Sequence, residues 1–298
     1  MNRFISHISL FAALSLTTIL VVLSFADGYS DSYYLKVSSP KQANLVLGTS
    51  KCAQGLQPQA LESVLHLPFY NYAFSIYASP YGNVYLNSIK NKLDTSATNN
   101  ISILTVDPWS LCSMTDAPND STAFRENKSF LNSVTNVSKR PNFKYLIHYF
   151  EGCYYKILLK DSPALLHSDG WLQVSINDDS TSVEQRTRFT LKDYESKLAT
   201  YTFSELRYTY LLKTIDYLRQ YGKVYLVQLP VDPRLSDIES TLMPDFDLIL
   251  QGAVEKSDGY LDLTRYNEKY TYTDGSHLDA NSGREVSLYI AHWINELN

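Results

Sequence analysis

Cysteine is scarce in this chain, with 3 in 298 residues. Cys52, Cys112 and Cys153 stand far apart, too few for a disulfide framework and without the paired spacing of a zinc site. At most one bridge can form. Cys112 and Cys153 could pair in an oxidising compartment, whereas Cys52 reads as a small buried hydrophobe. Runs of positive charge are missing too: the longest is the pair Lys139-Arg140, and the formal net charge is −5. No stripe is offered to a polyanion, and no nucleic-acid partner is expected. Tryptophan is sparse at 3 against 24 tyrosines. That abundance fits half-buried filler, with a carbohydrate-facing surface as the alternative. No internal repeat stands out.

At 44% hydrophobic and 19% charged, the chain can bury a full core in one large domain. Its amino terminus carries the clearest physical signal. From Phe4 to Phe25 the only titratable side chain is His7. At 1.5 Å per residue the run is long enough to cross a hydrocarbon core of roughly 30 Å. A signal peptide is the competing reading, but its apolar region would span about 7–15 residues and end at a small-x-small site. Here the run is longer and ends Phe25-Ala26-Asp27-Gly28. Arg3 before it and Asp27 and Asp31 after it place residues 28–298 on the non-cytoplasmic side of a membrane. The expected organisation is an anchor over 1–27, a polar linker over 28–42 and one domain over 43–298.

Within that domain, Asn44–Leu47 is a short apolar run fit for a buried parallel strand, and Pro58 opens a helix striped by Leu61, Val64 and Leu65. Strands over 69–74 and 101–106 flank a helix over 82–93. The alternation then stops. Residues 110–201 are rich in Ser, Asn, Asp and Thr, and so long a structureless loop inside a domain is improbable. They are expected to form an insertion with structure of its own, a lid or a wall of the site. Order returns at Thr202, where Thr-Phe-Ser-Glu has the form of a capping box and Gly222 ends the helix. Strands over 223–230 and 259–263, a short helix over 234–242 and a terminal helix striped by Val286, Ile290, Trp293 and Ile294 complete the pattern. Alternating strands and helices imply an α/β fold with a parallel sheet.

The candidate chemistry lies at two of the turns. In Gly48-Thr49-Ser50 a serine sits where a buried strand becomes a helix, as a cap or as a nucleophile. A hydroxyl is a weak nucleophile until a base takes its proton and a third group orients that base. Among the six histidines, His277 alone stands in a polar turn with a carboxylate, Asp274-Gly-Ser-His277, between the last strand and the last helix. Asp-x-x-His more often marks a helix cap than a dyad. Both turns, however, follow strands, and open α/β sheets place their sites outside the carboxyl ends of the strands.

These two blocks, at the start and end of the soluble domain, resemble those of the SGNH/GDSL hydrolase superfamily. The anchor and the large middle insertion are similar to the extracytoplasmic D-alanine-transfer and alginate O-acetylation proteins within it. The resemblance implies a three-layer α/β/α fold with five parallel strands in the flavodoxin-like order 2-1-3-4-5. It makes Ser50 the nucleophile, His277 the base and Asp274 its orienting partner. The implied activity is a serine esterase or O-acyltransferase, without cofactor or metal, acting on acetyl or similar esters of an extracytoplasmic polysaccharide or on a small ester. A membrane-bound acyltransferase would be a partner. The middle blocks depart from the family. The glycine expected to offer an amide to the oxyanion is absent, with Gly82 the next candidate and Lys51 another neighbour of the site. Asp107 stands where the family has an asparagine donor. Such a donor lowers the barrier by about 2.7–4 kcal/mol, and an ionised Asp107 would repel instead. In a working enzyme Asp107 should turn away and cap local amides. A silent accessory or glycan-binding protein is the alternative.

Overall fold

The computed structural model describes residues 2–114, 116–160 and 162–297. Helix α1, Asn2–Ser24, is followed by a packed segment and then by alternating elements. These are β1 (Asn44–Leu47), α2 (Ser50–Gly55), α3 (Pro58–Leu65), β2 (Phe69–Asn71), α4 (Asn83–Lys92) and β3 (Asn100–Thr105). Beyond the insertion's last helix, α5 (Ser180–Lys197), come α6 (Glu205–Leu218), β4 (Gly222–Gln228), α7 (Pro233–Leu242), α8 (Phe246–Lys256), β5 (Gly259–Asp262) and α9 (Ala280–Leu297).

The five strands make one sheet in the order β2-β1-β3-β4-β5, and every neighbouring pair is parallel. Strands buried on both faces read as continuous apolar runs, and β1 and β3 are buried at every position. Ile103 at the centre lies between Val46 and Tyr225 in register. Helix α9 packs on α2 and α3, while α6 packs on α4, α8 and β4. Strand β2 is shorter than its apolar run because Asn71 Oδ1 accepts from the Ala73 amide at 3.2 Å and turns the chain.

Three expectations need correction. Residues 28–42 are not a loose linker: Tyr34, Lys36 and Val37 are fully buried. Lys36 Nζ donates to Asn71 Oδ1 at 3.2 Å and to the Ala73 carbonyl at 2.5 Å, and burial lowers its pKa to about 7. Tyrosines dispersed among serines had disguised this segment as polar. The helix after the insertion is capped by Ser204, whose Oγ accepts from the Arg207 amide at 3.2 Å, not by Thr202. Thr202 and Phe203 pair instead with Ser113 and Cys112, which closes the insertion at its root. That helix ends at Leu218, and Gly222 opens β4. Lastly, Cys112 and Cys153 do not pair; the first is buried, the second exposed, and both are free. Cys52 is free and fully buried, as a small hydrophobe should be.

The insertion is assembled from short pieces, namely 3-10 turns over 121–128, a hairpin of Ala164–Leu166 with Leu172–Val174, and α5. A buried pair ties it to α6: Arg207 meets both oxygens of Glu126, at 2.8 and 3.1 Å. Its later half reaches the carboxyl ends of the strands. Trp171 Nε1 donates to the Gln54 carbonyl at 2.8 Å, and Arg186 Nε donates to the Thr273 carbonyl at 2.8 Å.

Candidate active site

Strand β1 is followed by Gly48, whose φ of +150° is one that side-chain-bearing residues avoid. A Cβ there would fall 1.9 Å from Thr105 Oγ1, so glycine is required where β1 passes β3. Thr49 is the N-cap of α2 without a side-chain cap bond, and Ser50 is the first helical residue. The capping explanation of Ser50 therefore fails. Its hydroxyl makes no hydrogen bond among the described residues.

The second turn is built around Asp274. Its Oδ1 accepts from the amides of Ser276 and His277, each at 2.9 Å, while Oδ2 holds His277 Nδ1 at 2.7 Å. Gly275, at φ +82°, lets the chain reverse, and the Thr273 amide bonds the His277 carbonyl at 2.8 Å to close the loop. Burial works against the Asp274 carboxylate, but the imidazole and the two amides outweigh it and hold its pKa down at about 2. With Nδ1 held by the carboxylate, a neutral ring presents Nε2 as an acceptor. That atom is buried and has no partner among the described residues.

Both turns open on the same edge of the sheet. Ser50 follows the carboxyl end of β1, and the Asp232 amide, just beyond β4, bonds the Gly275 carbonyl at 2.9 Å. Leu278 lies against Gly55 of α2. Tyr194 of α5 reaches the histidine turn, its hydroxyl 3.5 Å from Ser276 Oγ; burial pushes its pKa up to about 12, against the pull of nearby Lys51. The insertion thus packs on the histidine loop. No hydrogen bond joins Ser50 to His277 among the described residues, so serine and dyad share an edge as an open arrangement.

Lys51 and Asp107 are both held by partners inside the domain. Lys51 is buried, bonded to Glu239 and 3.7 Å from Asp107. Burial disfavours its ammonium, yet the two carboxylates prevail and keep it above the ordinary lysine value. Asp107 Oδ1 accepts from the Ser110 amide at 2.9 Å, and Ser110 Oγ meets the Asp107 amide at 3.2 Å, a reciprocal cap on the turn out of β3. Its carboxylate is turned to the Ser110 amide and to Lys51. Gly82, the other oxyanion candidate, opens α4 against Glu126 and Arg207, where a Cβ would lie 2.6 Å from Glu126 Oε1.

No family model matches the chain, and no curated protein matches it. The site therefore stands on its geometry.

Sequence reasoning missed Glu239, Tyr194 and Trp109. Glu239 carried a signal: four residues after Leu235 on α7, it falls on the buried stripe, where an acidic side chain needs a cationic partner. Trp109 and Tyr194 meet edge-on at 4.8 Å across the root of the insertion, a pairing without a local pattern.

Proposed function

We propose that this chain is a membrane-anchored serine esterase or O-acyltransferase of SGNH type, with Ser50 as nucleophile, His277 as base and Asp274 as its orienting partner. The observation that carries the reading is the Asp274–His277 pair, its Nε2 unpartnered, on the edge where Ser50 offers a free hydroxyl. The strand order and the two groups of helices are what a three-layer, flavodoxin-like arrangement would need.

In this mechanism Ser50 Oγ attacks the acyl carbonyl as its proton passes to His277 Nε2. Asp274 stabilises the imidazolium and fixes the ring. Collapse of the tetrahedral intermediate breaks the ester C–O bond, and the imidazolium returns its proton to the departing alcohol. Water or a sugar hydroxyl then resolves the acyl-serine by the same steps in reverse. Asp107 is committed elsewhere, so backbone amides of the turn into α2 serve the oxyanion. The proposed substrates are acetyl or similar esters of an extracytoplasmic polysaccharide, or a small ester.

One observation favours a second reading, a silent accessory protein that holds glycan or a membrane-bound acyltransferase. Gly82 is closed against Glu126 and Arg207, and no hydrogen bond joins serine and histidine among the described residues. Hydrolysis of p-nitrophenyl acetate decides between the two. Wild type should exceed Ser50→Ala by about a thousandfold or more, the usual scale for loss of a triad nucleophile; equal rates would favour the silent protein.

Helix α1, over Arg3–Ser24, is long and apolar enough to cross a membrane, and it is unburied except near its end, where Leu23 packs into the domain. As an anchor it should keep the full chain in the pellet after carbonate extraction of membranes. Release into the supernatant contradicts the anchor.

A further inference from the structure

A run of exposed apolar side chains lies beside the point where α1 enters the domain. Ile147, Tyr154, Tyr155, Leu158 and Leu159 are all exposed, Leu159 at 69%. The segment that bears them is pinned to residues 26–31. Arg140 Nη2 donates to the Ala26 carbonyl at 3.2 Å, the Glu151 amide to Asp31 Oδ2 at 3.3 Å, and the Leu166 amide to the Gly28 carbonyl at 2.9 Å. Lys160 Nζ pairs with Asp27 Oδ2 at 2.8 Å. The short helix Lys156–Leu159 also touches α1 itself.

We infer that this collar, residues 147–160, lies in the bilayer interface and seats the domain against the membrane. The inference rests on α1 being a membrane span. Given that span, the surface beside the helix exit faces lipid: the Lys156–Leu159 helix touches α1, and Phe25 and Tyr29, just beyond the helix end, are both exposed. Tyrosine and leucine suit this depth, since rings with a polar tip settle at headgroup level and aliphatic chains reach the acyl boundary. Lys144, Arg140 and Lys160, exposed at the collar's edge, would keep their charged ends at headgroup level while each also holds a local oxygen, of Ser133, Ala26 and Asp27. Left in water, such a patch would be an aggregation hazard. A seated domain would also hold its orientation to the membrane fixed instead of swinging on a tether.

Cys153 provides the probe, being free and exposed within the collar while Cys52 and Cys112 are buried. The full chain, labelled there with an environment-sensitive fluorophore, is reconstituted in phosphatidylcholine vesicles carrying spin-labelled lipid at headgroup or deep-chain depth. Headgroup-depth quencher should reduce emission by about twofold or more, as for an interfacial site. A label at Leu248→Cys in a Cys153→Ser background, on exposed apolar surface of α8, should respond only to aqueous quencher. Leu158→Asp with Leu159→Asp should abolish the lipid quenching at Cys153. A third label at Phe11→Cys in the same Cys153→Ser background separates the two claims. If Phe11 is quenched deep in the bilayer while Cys153 answers only to aqueous quencher, the collar is overturned and the anchor stands. If Phe11 is not quenched by lipid, both fall.

Discussion

The Lys51→Met variant is expected to lose about 3–5 kcal/mol of stability, the scale for removing one partner from a buried ion pair. The ammonium is the shared counter-charge of Glu239 and Asp107, and its removal leaves two carboxylates facing each other out of water. Glu239 already has its pKa raised by burial, with Lys51 opposing that rise. It should take up a proton at neutral pH in the variant. Adding Glu239→Gln to Lys51→Met should recover much of the loss, because a buried amide costs far less than an unpaired charge. Urea unfolding of wild type, the single variants and the double variant measures the coupling. A Lys51→Met variant within about 1 kcal/mol of wild type would remove the Lys51–Glu239–Asp107 cluster as a support of the Ser50 turn. Since Lys51 immediately follows Ser50, the same variant should also lose ester hydrolysis.

Asp274→Asn is expected to lower kcat by about 10⁴, the scale for a triad whose orienting carboxylate becomes an amide and allows the wrong tautomer. Stability should change with it. The folded carboxylate titrates at about 2 against an ordinary 3.8, so it contributes about 2 kcal/mol. A depressed carboxylate supplies that stability in full above the unfolded value, near pH 4, and loses it as pH falls towards 2. Wild type should therefore weaken over this window, while Asp274→Asn, lacking the group, should follow a flatter curve. Equal pH dependence in the two proteins would mean that the pair does not form.

How much of this was legible in the sequence follows from how each element is held. Strands β1, β3 and β4 are buried, so their apolar runs needed no periodicity to be found. Helix α8 gave no such sign: Gly252, a poor helix former, sits in its middle, where the chain closes on Tyr208, whose hydroxyl would lie 2.8 Å from an added Cβ. Residues 28–42 look polar by composition, yet Tyr34 and Lys36 bury through partners far along the chain, Asn142 and Asn71. Ser50, Asp274 and His277 were visible because strand-to-helix turns of a parallel sheet converge on one edge. Glu239 and Tyr194 reach that edge from α7 and α5 by long-range packing, and only the odd placement of Glu239 on an apolar stripe hinted at it.

Fluorophosphonate labelling of the full-length chain tests the central claim most directly, since only a serine activated by its base reacts quickly. Wild type should label rapidly, with the adduct mapping to Ser50, and Ser50→Ala should not label. His277→Ala should label far more slowly with the fold intact by thermal unfolding. Labelling of wild type no faster than of Ser50→Ala would contradict the assignment of a catalytic serine.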